Sequence, residues 1–177
     1  MHIEKKEEYA IDFETQQKIH QLLMTSFGQF PKDRIFLKQV PNFRLLVWEN
    51  KKLVAQAGIV YRIMSLNQSP LRVFGIMDLC VDVDYQNQRI GSNLLKHLEA
   101  IATENNIDFI LLFGDTNNFY LQNNFQLMHN NCRWVLIKEY ATMGIMTRPI
   151  PDTLLVKSIS GKKWDGEALL DIMGFIF

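Results

Sequence analysis

Cysteine is scarce: the 177 residues hold two, Cys80 and Cys132. Both sit in apolar, strand-like runs, which excludes a disulfide scaffold and suits a reducing compartment. Excess charge of one sign is missing as well, since 19 Lys and Arg balance 19 Asp and Glu. Without a basic field, neither nucleic acid nor an anionic membrane is an expected partner. No apolar run reaches the ~18 residues that a membrane span requires, and no signal peptide or lipidation pattern is visible. A cytoplasmic protein is therefore expected. Internal repeats and low-complexity tracts are absent too. No metal site is expected.

What remains reads as one soluble α/β domain over residues 1–177. Apolar residues make up 47% and charged residues 21%, and the length suffices to bury a core. Met1 to Glu8, with Lys5-Lys6-Glu7-Glu8, reads as a solvated lead-in, and Tyr9 to Phe13 as a first strand. From Glu14 to Phe27, Ile19, Leu22, Leu23 and Phe27 mark one helix face, which Gly28 ends. Gly28 to Pro41 mixes glycine, proline, lysine and aromatics and reads as a loop or short helix. Phe43–Trp48 and Leu53–Ile63 flank Glu49-Asn50-Lys51-Lys52 as the arms of a hairpin. Asn67-Gln68-Ser69-Pro70 turns the chain into the next strand.

That strand, from about Leu71, orders the rest. It is apolar and branched as far as Val83, and a short polar turn follows from Asp84 to Gln88. Ile90, Leu94, Leu95, Leu98, Ile101 and Ala102 then recur at helical spacing to about Glu104. A strand feeding a tight turn and a helix start makes an anion site, because the first amides lack backbone partners and the helix dipole adds positive charge. Phe109–Phe113 is a second buried strand. A helix between two such strands implies a parallel crossover beside an antiparallel meander. Beyond it, Trp134–Ile137 and Leu154–Lys157 read as strands and Met143–Pro151 as a loop. The apolar end, Met173-Gly174-Phe175-Ile176-Phe177, is expected to pack on the domain. Whether it covers its own sheet or a neighbour's in a homodimer is open.

Leu79-x-Val81, then Gln86-x-x-x-x-Gly91-Ser92 and an apolar helix, resembles motif A of the GCN5-related N-acetyltransferases (the GNAT superfamily). In that family the pattern is Gln/Arg-x-x-Gly-x-Gly/Ala, and its amides hold the pyrophosphate of acetyl-coenzyme A. Arg89 departs from it by standing where the first glycine is usual. Arginine there can supply its amide and a charge, or it can block the loop. Gly114-Asp115-Thr116-Asn117-Asn118-Phe119-Tyr120 through Asn124-Phe125 resembles a second GNAT run, in which a short helix carries Phe-Tyr and a Gly-Phe turn follows. Asn124 replaces the glycine, and asparagine tolerates positive φ. The resemblance implies the GNAT fold, a mixed central sheet with helices on both faces. Less specifically, the Trp164-Asp165-Gly166 stretch near the end is similar to the tails of aminoglycoside 2'-N-acetyltransferases and NodA-type acyltransferases.

The implied reaction is direct attack of a small-molecule primary amine on the thioester of acetyl-coenzyme A. It requires a fixed cosubstrate, loss of a proton by the ammonium and gain of one by the thiolate. By resemblance, Leu79, Cys80 and Val81 pair with the pantetheine amides. Gln86, Asn87, Gln88, Arg89, Ile90, Gly91 and Ser92 take the pyrophosphate, and Asn117 is a further contact. Tyr120 is the candidate acid, since a phenol can protonate a thiolate. Asp78, the carboxylate within its strand's apolar run, is the candidate base. Asp115 and His129 are lesser candidates. No histidine neighbours Cys80, so an acyl-cysteine is not expected. Two other readings stay open: an aminoglycoside-like acceptor served by Asp165, Glu167 or Asp171, and a non-catalytic acyl-coenzyme A sensor.

Overall fold

Residues 1–115 and 118–177 are described in the computed structural model, an α/β architecture built on a mixed sheet. The chain divides into two compact units, Met1–Val60 with Ile76–Leu98 and Tyr61–Gly75 with Glu99–Phe177.

In the first unit, β1 (His2–Glu7) pairs antiparallel with β2 (Phe43–Glu49), from His2 opposite Trp48 to Glu7 opposite Phe43. β2 then forms a hairpin with β3 (Lys52–Leu66), closed by Asn50 at φ 55°. The charged N-terminus is thus a strand rather than a solvated lead-in. As an edge it pairs on one side only, and lysines and glutamates suit an edge better than an apolar run does. Tyr9–Phe13 is correspondingly not a strand: a 3-10 turn spans Glu8–Ala10, and α1 (Phe13–Phe27) follows.

α1 begins where Asp12 accepts from Thr15 N at 2.8 Å, and it ends at Gly28, which sits at φ 67° and donates to Met24 O at 3.0 Å. Its Ile19, Leu22 and Leu23 face a buried cluster with Phe30, Ile35, Leu46, Leu53 and Cys80. Burying each such side chain contributes about 1.5–3 kcal/mol, so packing rather than propensity holds α1. β4 (Ser69–Val81) ends in this unit, where α2 (Ile90–Glu104) begins.

In the second unit, Asn67 and Gln68, at φ 48° and 65°, turn β3 into β4. β5 (Phe109–Phe113) lies parallel to β4, Val73 to Gly75 facing Phe109 to Leu111, as a helical crossover requires. A short α3 (Asn118–Gln122) leads to β6 (Gln126–Met128). β9 (Leu154–Ser158) pairs antiparallel with both β5 and β6.

β7 (Asn131–Lys138) and β8 (Ala141–Pro149) form a hairpin, and β10 (Leu170–Asp171) joins β7 to β3. The segment expected as a loop from Met143 is therefore mostly strand. β8 is largely exposed, so no apolar alternation marks it, and Gly144 and Pro149 imitate loop punctuation.

Trp164 packs edge-on against Phe109 at 5.0 Å and donates Nε1 to Asn130 at 2.8 Å, closing the core of Val73, Leu111, Leu154 and Leu170. The apolar end packs on the sheet as expected. Arg62 lies 4.5 Å from the Phe175 ring and donates to its carbonyl at 2.7 Å, and the Phe177 ring meets Phe113 at 5.8 Å. Among the described residues, no helix is long and apolar enough to cross a membrane.

Candidate active site

The turn after β4 is assembled from its own backbone and one lysine. Asp82 N donates to Val54 O at 2.8 Å, and Asp82 Oδ1 accepts from Asp84 N at 3.0 Å, opening a 3-10 turn over Val83–Tyr85. Lys52 closes on Asp82 at 2.9 Å and lies 4.8 Å from the Tyr85 ring. That hydrogen bond from Lys52 holds the Asp82 carboxyl below its ordinary range. Beyond the turn, Asn87 and Arg89 take φ of 60° and 61°.

Arg89 therefore adopts the left-handed backbone that a glycine at its place would reach without strain. The side chain is solvent-exposed. The first hydrogen bond into α2 runs from Asn93 N to Arg89 O at 2.9 Å. The amides of Ile90, Gly91 and Ser92 precede it and have no acceptor within the helix, at the positive end of its dipole. Gln86 is used differently from the rest of the expected run. Its amide turns to Val83 O at 3.4 Å, and its Nε2 donates to Val81 O at 3.2 Å.

Leu79, Cys80 and Val81 lie on β4 beyond the end of its ladder with β5. Cys80 is buried in the first unit's core, and burial pushes its thiol up to about 11. A thiol so protonated is a poor nucleophile.

Asp78 precedes them at φ 50°, a left-handed residue inside a strand. Its carboxyl is half-buried, and burial raises it above the usual carboxylate range while the Arg44 charge pulls it down. Asp78 thus shares one unit with Leu79–Val81 and the turn. Tyr120 belongs to the other.

Tyr120, on α3, packs edge-on with Phe119 at 5.0 Å and Phe125 at 5.6 Å, and its carbonyl accepts from Phe125 N at 3.1 Å. Asn124 takes φ 64°, as the glycine it replaces would. Lys157 supports the end of α3 by donating to Asn123 O at 2.8 Å, and it is also paired with Glu99. Asn117 lies outside the described residues. Asp115 and His129 are exposed. In the tail, Asp165 accepts from Glu167 N at 3.0 Å and Asp171 from Met173 N at 2.9 Å, so both shape turns.

Sequence reading missed a buried polar network in the first unit. Arg44 is fully buried, with Nε 2.8 Å and Nη2 3.1 Å from the Glu8 carboxylate, Nη1 2.9 Å from Gln56 Oε1 and Nη2 2.6 Å from Ile35 O. Gln56 Nε2 donates to the Asp78 carbonyl. One signal was present: Arg44 and Gln56 each interrupt an apolar strand run, where a lone polar residue needs a buried partner.

The fourth strand, the turn after it and α2 follow one another in a mixed sheet, in the order that the motifs led one to expect. A family model for the acetyltransferase (GNAT) domain matches residues 11–128, and the chain belongs to that family. No curated protein matches it. Among solved structures it is similar to the Escherichia coli GNAT protein YhbS in complex with CoA, at 14% identity and TM-score 0.62, over 97% of this chain and 88% of that one. A Brucella melitensis GNAT acetyltransferase in complex with acetyl-CoA is similar at 13% identity and TM-score 0.58, over 94% of each chain. An Anabaena variabilis GCN5-related N-acetyltransferase matches 75% of this chain at 15% identity and TM-score 0.62, and there the match spans 34% of the longer partner.

Proposed function

We propose that the chain is an acetyl-coenzyme A-dependent N-acetyltransferase acting on the primary amine of a small molecule, with residues 1–177 working as one GNAT domain in the cytoplasm. The observation that carries this reading is the left-handed turn at Asn87 and Arg89 leading into α2, where the Ile90, Gly91 and Ser92 amides have no acceptor within the helix. Adjacent amides at a helix start suit two linked phosphates, and an exposed Arg89 leaves that approach open while adding positive charge. Asn87 and Gln88 supply the remaining amides of the cradle, and Leu79, Cys80 and Val81 offer a strand edge to the pantetheine amides.

In the reaction, the neutral amine attacks the thioester carbonyl carbon, the carbon–sulfur bond breaks, and the sulfur leaves as thiolate. Asp78 takes the proton that the ammonium must lose. Burial raises its proton affinity above that of an ordinary carboxylate, the direction a base needs. Tyr120 gives the thiolate its proton, and the second proton that the nitrogen sheds as the amide forms passes to solvent, from which Tyr120 is reprotonated.

Thermal shift with coenzyme A and acetyl-coenzyme A, followed by thiol release across a panel of primary amines, tests the reading. Binding to the folded state raises the melting temperature. A shift together with amine-dependent thiol release is expected. A shift without release would make the chain a sensor, and no shift would remove both readings.

A further inference from the structure

We infer that Gln56 is a positioning residue for Asp78: its buried side-chain amide, oriented by Arg44, holds the left-handed backbone that aims the Asp78 carboxylate. The inference rests on the acetyltransferase reading for its consequence in turnover, and on geometry alone for its backbone part. A non-glycine residue at φ 50° inside a strand persists only where its surroundings over-determine it. Here the surroundings are one hydrogen-bonded relay within the first unit.

Arg44 carries donors only, so the face of Gln56 turned to it must be the oxygen, as the 2.9 Å contact shows. The Gln56 nitrogen then has to face the other way, where it meets the Asp78 carbonyl. Reversing the amide would set donor against donor and acceptor against acceptor in a site from which water is excluded. Arg44 cannot swing to relieve this, because Glu8 grips it through Nε and Nη2, and Ile35 O takes a second bond from Nη2. The far side of Gln56 Nε2 is closed by Cys80 Sγ at 3.9 Å. The relay therefore admits one arrangement, and that arrangement fixes the peptide after Asp78. Ile35 belongs to the Gly28–Pro41 segment, so the same guanidinium also anchors that segment.

The test compares Gln56→Met, which keeps length but removes donor and acceptor, with Gln56→Glu, which keeps an oxygen for Arg44 but has no donor for the Asp78 carbonyl. In both, the affinity for coenzyme A by calorimetry and the KM for acetyl-coenzyme A should stay within about threefold, while kcat for amine-dependent thiol release falls about tenfold or more. Combined with Asp78→Asn, neither should add a further loss, since a displaced amide has nothing left to misalign. Crystal structures of the two variants should show Asp78 back at negative φ. Unchanged kcat, a full extra loss on the Asp78→Asn background, or Asp78 still left-handed in both variants would overturn the proposal. If Gln56→Met does not fold, Gln56→Glu decides. If the parent chain releases no thiol with any amine, the acetyltransferase reading fails, and φ at Asp78 alone judges the positioning.

Discussion

The Phe177 ring lies so close over Gly75 that a Cβ at residue 75 would stand 2.2 Å from it. Glycine there is a matter of space, since its backbone is not among the left-handed positions. Gly75→Ala must lift the ring off β4 and out of its edge-on contact with Phe113. Overpacking of this kind costs about 1–3 kcal/mol, so the denaturant midpoint should fall without a change in slope. An unchanged midpoint would mean that the ring is not seated as described.

Arg89 separates the two meanings of glycine in a phosphate loop. Its left-handed φ makes Arg89→Gly a relief of strain, whereas Arg89→Ala keeps the strain and removes only the charge. The glycine variant should be more stable than the alanine variant by about 1 kcal/mol in thermal or denaturant unfolding. Both should retain coenzyme A binding, weakened to a similar extent and with a smaller salt dependence, because amides rather than the guanidinium form the cradle. Complete loss of binding in both would place the arginine side chain at the centre of the site instead.

The motif stretch was readable because local chemistry fixes it. A branched strand, a polar turn, a helical stripe and asparagine at a left-handed position each announce themselves within a few residues. α2 and β5 accordingly lie where periodicity put them. β8 was not readable because, although it is hairpin-paired with β7, it is largely exposed and carries no apolar alternation, and β1 was not because its partner β2 is distant in sequence. The relay through Arg44 and Gln56 was hidden for the same reason. Residues 8, 44, 56 and 78 meet only after the sheet has formed. Burial of Arg44 could be suspected from the sequence, but its partners could not be named.

Cys80 should be silent toward thiol reagents. Burial pushes it up to about 11, and it does the same for Cys132. At pH 8 almost no thiolate exists at either residue, and both are shielded from solvent. Titration with a chromogenic disulfide should find essentially no reactive thiol in the native protein and both once it is unfolded. Rapid native labelling of Cys80 would reopen the acyl-cysteine route.

Asp108 makes the acid limb of stability specific. Burial works against its charge, but the Arg72 amide at 2.9 Å, Lys162 at 2.9 Å and the Ser160 hydroxyl at 3.2 Å outweigh it, and the carboxyl is held below its ordinary 3.8. A carboxylate with a lowered folded value stabilises the protein above its unfolded value, and that contribution is lost as pH falls through the folded one. Stability should therefore decline as the pH drops below about 4. Asp108→Asn should be less stable at pH 7 and should show a flatter decline in acid. An unaltered acid limb in the variant would assign the decline to other carboxylates.

Tyr120 is the test of the proton delivered to sulfur. Its ring packs between Phe119 and Phe125, and phenylalanine preserves both edge-on contacts. Tyr120→Phe should thus fold and bind coenzyme A as the parent does, while losing about 10²–10⁴-fold in kcat, the usual range for removal of a general acid. The loss should shrink when the acetyl group is carried by a thiol of low pKa, which leaves without help. A variant that turns over at the parent rate with acetyl-coenzyme A would reduce Tyr120 to a packing residue, and the thiolate would then take its proton from water.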